Sequence, residues 1–252
     1  MATTKGSNPA VLITGASRGI GAATALAAAR EGFDVAVNYA SDHPAAEAVV
    51  AQVRALGRNA VAVAGDVASQ AAVTAMFDQA EQALGPIAAL VNNAGITGPI
   101  GRFADVDIHN LERILAINVL GTFLCAREAL ARHAGHGALR VIVNVSSVAS
   151  TTGSPGEYVH YAASKGAVDT FTVGLGKELA AQGIRVCGVA PGSTFTEIHA
   201  KAGEPDRPAR VAPKIPLGRL AQPEEIAQAV VWLLTPAASY VTATVLRATG
   251  GL

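Results

Sequence analysis

Tyr161 and Lys165 are the residues of this chain whose types and spacing best suit proton transfer. They stand four positions apart in the run Tyr-Ala-Ala-Ser-Lys, so in a helix their side chains lie one turn apart on one face. A free phenol has a pKa of about 10, and a cation beside it favours the phenolate and lowers that pKa. The pair predicts a general acid–base site, although such spacing also arises by chance with a probability of about 0.08.

A glycine-rich turn suited to a pyrophosphate follows the first predicted strand. It reads Thr-Gly-Ala-Ser-Arg-Gly-Ile-Gly at residues 14–21 and leads into a predicted helix at 22–30. Glycines let the backbone approach the phosphates, which a helix N-terminus attracts through its free N–H groups and its dipole. The spacing Gly-x3-Gly-x-Gly, with no Lys-Ser or Lys-Thr after it, excludes the phosphate loop of nucleoside triphosphatases. A plain tight turn is the alternative. The predicted contacts here are Gly15, Ser17, Arg18, Gly19, Ile20 and Gly21.

The end of the second predicted strand bears on which dinucleotide binds. An acidic residue there would bind the ribose 2′-hydroxyl of NAD and repel the 2′-phosphate of NADP. The strand instead runs into Asn38, Tyr39 and Ser41, and the first acid is Asp42 in the loop. Arg18 has a planar guanidinium that suits a phosphate, with a solvated surface arginine as the alternative. We predict that NADP(H) binds in preference to NAD(H), with Asn38, Tyr39 and Ser41 among its contacts.

Short β-branched runs alternate with Ala-rich helical runs along the chain. Most of these runs are apolar without alternation, as is typical of parallel strands covered on both faces. Helix ends are recognisable as well, since Ser69 can cap one helix, Gly85 can end it and Pro223 can begin another. The pattern predicts an α/β protein, a single doubly wound Rossmann domain over residues 1–252 with a seven-stranded parallel sheet flanked by helices on both faces. The predicted strands are residues 10–14, 35–38, 60–64, 87–92, 139–145, 185–190 and 244–248.

Composition excludes several classes of protein. The 19 basic and 19 acidic side chains give no net charge for binding nucleic acid or an acidic membrane surface. Half of the residues are apolar, which excludes a disordered chain. Cys125 and Cys187 form no CxxC pair and the six histidines show no ligand spacing, so no metal is expected. With no apolar leader and no run of 18 apolar residues, we expect a cytoplasmic protein without a membrane span.

One irregular stretch, at about 195–218, interrupts the alternation of strands and helices. It contains four prolines, and a loop of this length in a compact domain is usually functional or mobile. We predict a mobile loop that covers the substrate.

The chain resembles the short-chain dehydrogenase/reductase family over essentially its whole length. The glycine pattern, Asn92-Asn93-Ala94-Gly95, Asn118, Ser147, the Tyr161/Lys165 pair and Pro191-Gly192 occur in the family's order and at its spacings. The stretch 143–169 and the C-terminal tail look most like bacterial members of the glucose 1-dehydrogenase-like and 3-oxoacyl-carrier-protein-reductase-like kinds.

The resemblance implies a role for each catalytic residue. Ser147 and Tyr161 would bind the substrate carbonyl oxygen, and Tyr161 would donate the proton; Ser146 is the alternative serine. Lys165 would bind the ribose next to the nicotinamide and lower the pKa of Tyr161. Asn118 would hold a water in the proton path to Lys165.

The resemblance also implies further cofactor contacts. Asp66 and Val67 would contact the adenine, and Asn93, Ala94 and Gly95 would lie against the adenine-side ribose. The loop after the sixth strand would hold the nicotinamide carboxamide through Pro191, Gly192, Thr194 and Thr196. The chain departs from the family pattern at Cys187, usually asparagine, at Ala243, usually glycine, and in Ser-Thr-Phe at 193–195, where an apolar pair is usual.

These features together predict an NADPH-dependent carbonyl reductase or alcohol dehydrogenase that acts on a small ketone, aldehyde or secondary alcohol. A 3-oxoacyl-carrier-protein reductase and a glucose 1-dehydrogenase are alternatives, and an NADP-sensing regulator is an alternative that is not an enzyme. A nucleotide-sugar epimerase would need another glycine spacing and a larger substrate domain. Arg132 and Lys177 are candidate contacts for an acidic carrier protein, or simply solvated charges.

The helices predicted at about 158–181 and 111–131 carry more apolar surface than one face needs, including a stripe on the first of them. They resemble the family's paired helices, and the last strand resembles a second family interface, so we predict a homotetramer. The alternative is that these residues only pack within one subunit. The stripe consists of Ala163, Ala167, Phe171, Gly174 and Leu175.

Overall fold

The computed structural model describes residues 8–197, 203–204 and 206–252. The strands are β1 (Ala10–Ile13), β2 (Asp34–Tyr39), β3 (Ala60–Ala64), β4 (Ile87–Asn92), β5 (Val141–Val145), β6 (Arg185–Pro191) and β7 (Thr244–Ala248). The helices are α1 (Gly19–Arg30), α2 (His43–Ala55), α3 (Gln70–Leu84), α4 (Ile108–Leu115), α5 (Gly121–His136), α6 (Ala149–Thr152), α7 (Val159–Leu179), α8 (Arg207–Val211) and α9 (Pro223–Leu234). A π-helical segment, Ala116–Leu120, joins α4 to α5. Short 3-10 turns lie at Phe103–Asp105, Ala180–Gln182, Ala212–Lys214 and Pro236–Ala238.

The seven strands pair in parallel in the order β3-β2-β1-β4-β5-β6-β7. The predicted doubly wound sheet is therefore confirmed. The strand order reverses direction between β1 and β4, and the crevice at the carboxyl ends of these two strands is where open α/β sheets bind their ligands. The ends of β1, β4, β5 and β6 thus mark the edge at which a site is expected.

Both faces of the sheet are buried at β1, β2, β4, β5 and β6, because these strands send apolar side chains to both sides, whereas the edge strand β7 is largely exposed. Along β1, Val11 and Ile13 belong to the core cluster under α1, α2 and α9, while Ala10 and Leu12 belong to the cluster under α3, α5 and α7. Successive side chains of a strand point to opposite faces, so a strand covered on both sides has no polar alternation. This explains why the sequence shows continuous apolar runs.

The helix ends follow the sequence signals. The Ser69 hydroxyl accepts a hydrogen bond from the Ala72 N–H at 3.4 Å at the start of α3, and Gly85, with φ of 81°, ends that helix. At the start of α9 the Glu225 carboxylate accepts a hydrogen bond from the Gln222 N–H at 2.8 Å. The strand limits differ from the predicted ones by at most two residues, β5 beginning at Val141 rather than at 139.

The helical stretch Ile108–His136 differs from the sequence expectation in two ways. It is broken by the π-helical segment, where one continuous helix was predicted over about 111–131. By length and composition it is also apolar enough to cross a membrane, its best window having a mean hydropathy of 1.6 and being 39% buried. The expectation that no such stretch exists is not met by this measure. A helix that packs in a protein core passes the same test, so this is weak support for a membrane span.

Candidate active site

The glycine-rich turn after β1 has a backbone that requires its glycines. Gly15 and Gly19 have φ of 61° and 55°, in the left-handed region. A Cβ on Gly15 would lie 2.9 Å from the Cα of Ala94, and one on Gly21 would lie 2.6 Å from the Gly15 carbonyl oxygen. Within the described residues, no side chain caps the N-terminus of α1, and its first turn contains no acid. The helix therefore presents free N–H groups and its positive end, which fits a phosphate.

Two predicted cofactor contacts, Asn38 and Asn93, use their amides to hold this turn. The Asn38 oxygen accepts from the Gly15 N–H at 3.1 Å, and its nitrogen donates to the Gly65 carbonyl at 3.0 Å. The Asn93 amide donates to the Thr14 and Gly15 carbonyls at 2.9 and 3.1 Å. Both amides therefore hold the backbone of the glycine-rich turn in place.

Arg18, predicted to be available for a phosphate, is paired with two carboxylates. Its guanidinium donates to Asp42 and, at 3.1 Å, to Glu197, and its side chain is 37% exposed. Asp42 also caps α2, where it accepts from the Ala45 N–H at 3.1 Å. Beside this ion pair Tyr39 packs on His43, with ring centres 5.2 Å apart. Ser17 and Ile20 are half-buried, and Ser41 is exposed.

Tyr161 lies on α7, and the hydroxyl of Ser147, which follows β5, is near enough to the Tyr161 phenol to lower its pKa. Tyr161 is 9% exposed, so its ring is enclosed at the sheet edge. Ser146, the alternative serine, is buried and turned toward the Lys165 carbonyl, to which its hydroxyl donates at 3.4 Å. The structure therefore brings Ser147, and not Ser146, to Tyr161.

Lys165 lies behind Tyr161 in a buried position. Its Nζ donates to the Val145 carbonyl at 2.8 Å and is 5.9 Å from the centre of the Tyr161 ring. A Cβ on Gly95 would lie 3.4 Å from this Nζ and 3.3 Å from Asn118 Oδ1. A side chain at Gly95 would therefore crowd both groups.

Burial dominates the ionisation of the pair. It raises the pKa of Tyr161 to about 12, although the Ser147 hydroxyl acts in the opposite direction. It lowers the pKa of Lys165 to about 8, against the attraction of Asp169. The sequence predicts a lowered pKa for the tyrosine; the pKa is raised instead because burial of the phenol outweighs the groups that would lower it.

Asn118 lies in the π-helical segment and connects two parts of the site. Its Oδ1 accepts from the Ile96 N–H at 2.9 Å, and its Nδ2 donates to the Ile96 carbonyl at 2.9 Å and to Ser164 Oγ at 3.0 Å. The loop after β4 is thereby tied to α7 between Tyr161 and Lys165. π-Helical turns are frequent at functional sites.

The loop after β6 returns to the glycine turn. Pro191 accepts a hydrogen bond from the Val148 N–H at 2.8 Å, and a Cβ on Gly192 would lie 2.8 Å from the Thr249 carbonyl oxygen. The Thr194 hydroxyl donates to the Gly192 carbonyl at 3.0 Å. The Thr196 methyl would be 3.4 Å from a Cβ on Gly19. The predicted nicotinamide contacts and the glycine turn therefore meet.

The remaining predicted regions are less closely joined to the site. Asp66 is exposed and accepts from the Ala68 N–H at 3.0 Å, and Val67 is buried against Gly121. Of the predicted mobile loop at 195–218, residues 198–202 and 205 lie outside the described residues. The described part contains α8 and a small apolar cluster of Val211, Ile215 and Leu220.

Three residues of the site were missed from the sequence. Tyr158 packs edge-on against Tyr161, with ring centres 5.4 Å apart at 89°, and Arg207 bonds to both Tyr158 and Glu157. The sequence offers no catalytic signal at Tyr158, because Ala162 and not a lysine stands four positions after it. Arg207 lies in the Pro-rich stretch, where no periodicity shows which side chains are buried. Among the described residues there is no group of three or more His, Cys, Asp or Glu that could hold a metal ion.

The chain is similar to known proteins over nearly its whole length. The family profile described as "Enoyl-(Acyl carrier protein) reductase" matches residues 15–252. The chain is 51% identical to the "Uncharacterized oxidoreductase YgfF" of Escherichia coli over 242 residues, covering 95% of this chain and 98% of that protein. A short-chain type dehydrogenase/reductase from Mycobacterium marinum superposes with a TM-score of 0.90 and 36% identity, covering 97% and 95% of the two chains. A short chain dehydrogenase from Burkholderia cenocepacia in complex with NADP superposes with a TM-score of 0.85 and 35% identity, covering 96% of this chain and 97% of that chain.

Proposed function

The chain belongs to the short-chain dehydrogenase/reductase family, and from that premise we propose that it is an NADPH-dependent carbonyl reductase. As a family member it is an oxidoreductase of the kind that acts on alcohols and ketones. The observation that carries the proposal is the meeting of Tyr161 and Lys165 at the carboxyl edge of the sheet, with the Lys165 Nζ 5.9 Å from the centre of the Tyr161 ring, the Ser147 hydroxyl beside the phenol and Asn118 bonded to Ser164 between them.

The catalytic roles follow from the positions of these groups. Ser147 and Tyr161 bind the carbonyl oxygen of the substrate, and Tyr161 donates its phenolic proton to that oxygen as the alcohol forms. A pKa of about 12 keeps Tyr161 protonated at neutral pH. Lys165, with a pKa of about 8, can exchange a proton near neutral pH and so return one to the tyrosine. Asn118 joins the π-helical segment to Ser164, and the family resemblance implies that it would hold the water that supplies that proton.

The residues present fit a nicotinamide dinucleotide. The glycine turn and the uncapped start of α1 would hold the pyrophosphate, and Lys165, beside Gly95, would bind the ribose next to the nicotinamide. Thr194 and Thr196 would hold the carboxamide. When bound, the cofactor supplies the hydride for reduction of the carbonyl carbon.

Two observations support NADPH over NADH. β2 ends in Asn38 and Tyr39 rather than in an acid that would repel a 2′-phosphate, and a similar solved structure contains NADP. Arg18 lies beside this strand end, where the 2′-phosphate would compete with Asp42 and Glu197 for its guanidinium. The preference for NADPH therefore requires Arg18 to give up a carboxylate partner and bind the 2′-phosphate instead.

Replacing Arg18 tests this preference. Arg18→Ala should weaken NADPH binding by about 1.5–3 kcal/mol, the value of a charged hydrogen bond, and weaken NADH binding much less. Arg30→Ala, at the exposed end of the same helix, is the control. Equal weakening of both cofactors, or a wild-type preference for NADH, would show that this reading of the turn is wrong.

The substrate class favoured is a small carbonyl compound rather than an acyl group on a carrier protein. Arg132, one of the two basic residues considered for carrier docking, donates to the carboxylates of Asp78, Glu81 and Glu128 at 2.6, 2.7 and 2.9 Å. These acids neutralise it, so it offers little to an acidic partner. Lys177, the other, is exposed on α7.

The direct test is a substrate panel. Reduction by the purified protein is followed by the loss of absorbance at about 340 nm with NADPH and with NADH against β-ketoesters, aldehydes and diketones. Oxidation of glucose is followed by the gain of absorbance with NADP+ and with NAD+. The proposal expects carbonyl reduction with NADPH at the highest rate. Activity confined to glucose oxidation would favour the sugar dehydrogenase, and tight NADPH binding without turnover would favour the cofactor-sensing regulator.

We propose in addition that the protein is a cytoplasmic homotetramer. Apolar side chains remain exposed along α4, the π-helical segment and the start of α7, namely Ile108, Leu115, Leu120 and Val159. A second exposed group lies near β7 and consists of Trp232, Tyr240 and Leu246. Such surfaces are typical of subunit interfaces. Light scattering after size exclusion should give about four times the 25.4 kDa of one chain; a monomer at micromolar concentration would contradict it.

A further inference from the structure

Arg207 is buried although its side chain always carries a charge. It is 6% exposed and lies at the start of α8, in the segment that follows β6. Removing a guanidinium from water is costly unless its partners replace the lost hydrogen bonds. The partners of Arg207 therefore indicate which part of the structure this buried charge holds in place.

The partners of Arg207 are the two residues that immediately precede α7. One guanidinium nitrogen donates to Glu157 Oε2 at 2.5 Å, and the other terminal nitrogen donates to the Tyr158 hydroxyl at 2.5 Å. Arg210 donates to the second oxygen of Glu157 at 3.1 Å. Although burial alone would raise the pKa of Glu157, Arg207 and Arg210 hold it below its usual value, so the carboxylate is charged at neutral pH.

Tyr158 transmits this contact to the reacting group. Its ring meets the ring of Tyr161 edge to face, at 5.4 Å between centres. The two tyrosines form a small buried cluster with Ala149 and Ala162. Aromatic pairs prefer this geometry, and a ring enclosed on this side leaves Tyr161 few alternative positions. The Tyr158 hydroxyl accepts a hydrogen bond from Arg207. Tyr161 is therefore the tyrosine of this pair whose hydroxyl can transfer the proton.

We propose that Arg207 is a positioning residue for Tyr161, acting through Tyr158 and through its ion pair with Glu157. The buried guanidinium fixes the start of α7 and the Tyr158 ring, and that ring fixes the direction of the Tyr161 phenol toward Ser147. This inference rests on the proposed function, because it assigns the purpose of the contact to the geometry of proton donation.

The test compares Arg207→Met, Arg207→Lys and Tyr158→Phe with the control Arg219→Met. Arg219 lies in the same segment and donates two hydrogen bonds of 2.7 Å to Glu225, away from α7. Kinetic constants are measured with NADPH and the carbonyl compound that the wild type reduces fastest. Hydrogen exchange of the amides at the start of α7 is measured on the same proteins.

Since small misplacements of a reacting group can cost orders of magnitude in rate, Arg207→Met should lower kcat about 10-fold or more while KM changes less than about threefold. Arg207→Lys should restore part of that loss, and Tyr158→Phe should lower kcat about threefold or more. Exchange at the start of α7 should accelerate in Arg207→Met. Arg219→Met should stay within about twofold of wild type in every measurement.

Unchanged kcat in both Arg207→Met and Tyr158→Phe would overturn the inference, as would a rise in KM alone, which would place Arg207 in substrate binding. If Arg207→Met does not fold, a normal kcat in Arg207→Lys and Tyr158→Phe overturns it. If the wild type reduces no carbonyl compound, the proposed function fails separately. The exchange rates then decide whether Arg207 orders the start of α7.

Discussion

Gly176 is the position at which a single added methyl group should most clearly disturb the packing of α7. A Cβ there would lie 2.7 Å from both the Cα and the backbone nitrogen of Ala243. These are backbone atoms in the turn before β7, and the Ala243 N–H donates to the Val186 carbonyl at 2.8 Å. The helix and the turn must move apart by nearly an ångström to admit the methyl group, and the turn is held by that hydrogen bond.

The expected size of the effect is a balance of two contributions. Overpacking of this kind costs about 1–3 kcal/mol, and strain on the Ala243 hydrogen bond adds about 1 kcal/mol. Replacing a glycine inside a helix by alanine returns about 1 kcal/mol through helix propensity. Gly176→Ala should therefore destabilise the protein by about 1–3 kcal/mol, which for a chain of this size lowers Tm by about 2–12 °C.

Gly174→Ala in the same helix is the matched control, because no described atom lies within 4 Å of a Cβ there. It should gain up to about 1 kcal/mol in stability from helix propensity alone. Both variants are compared by thermal and urea unfolding, with the oligomer mass measured in parallel, since Gly174 lies on the stripe proposed for assembly. A Gly176→Ala protein as stable as the wild type would refute the reasoning about this contact.

Two further stability predictions concern Ala243 and Asp34. Ala243 has φ of 55°, so Ala243→Gly should relieve about 1–2 kcal/mol of strain and lose about 0.4–1 kcal/mol through chain entropy. The net gain in urea unfolding should be about 0–1.6 kcal/mol, and a loss of stability would contradict this. Although burial alone would raise the pKa of Asp34, hydrogen bonds from Asn59 and Arg58 lower it. Asp34→Asn should therefore cost about 1–3 kcal/mol at neutral pH. The pKa of Asp34 is lower in the folded protein than its unfolded value of 3.8. The loss of stability in Asp34→Asn should therefore be complete above pH 3.8 and become smaller as the pH falls below that value. A deficit independent of pH would contradict the assignment.

Much of the fold could be predicted from the sequence because strands and helices here carry strong local signals. Continuous apolar runs predicted parallel strands covered on both faces, and Ser69 and Gly85 marked the ends of α3. The glycine turn was predictable because its positive φ angles and close approaches require glycine. Tyr161 and Lys165 could be identified because a helix brings residues four apart together.

The features that the sequence did not predict depend on long-range contacts. The π-helical turn around Asn118 has no periodic signal, since it follows from hydrogen bonds to Ile96 and Ser164. The burial of Arg207 depends on Glu157 and Tyr158, about 50 residues earlier. The ion pairs of Arg18 with Asp42 and Glu197 likewise join distant segments of the chain. The local sequence around Arg18 therefore does not reveal that its guanidinium is already paired.

The central claim, that Tyr161 donates the proton in carbonyl reduction, is tested most directly by kcat of Tyr161→Phe. The variant keeps the ring against Tyr158 and removes only the hydroxyl, so NADPH binding and Tm should remain close to wild type. The account predicts that kcat falls about 100-fold or more, as expected for loss of a general acid. Tyr240→Phe, whose ring is fully exposed on the single subunit and is proposed only for assembly, should keep its activity. Retention of most of the wild-type kcat in Tyr161→Phe would contradict the account.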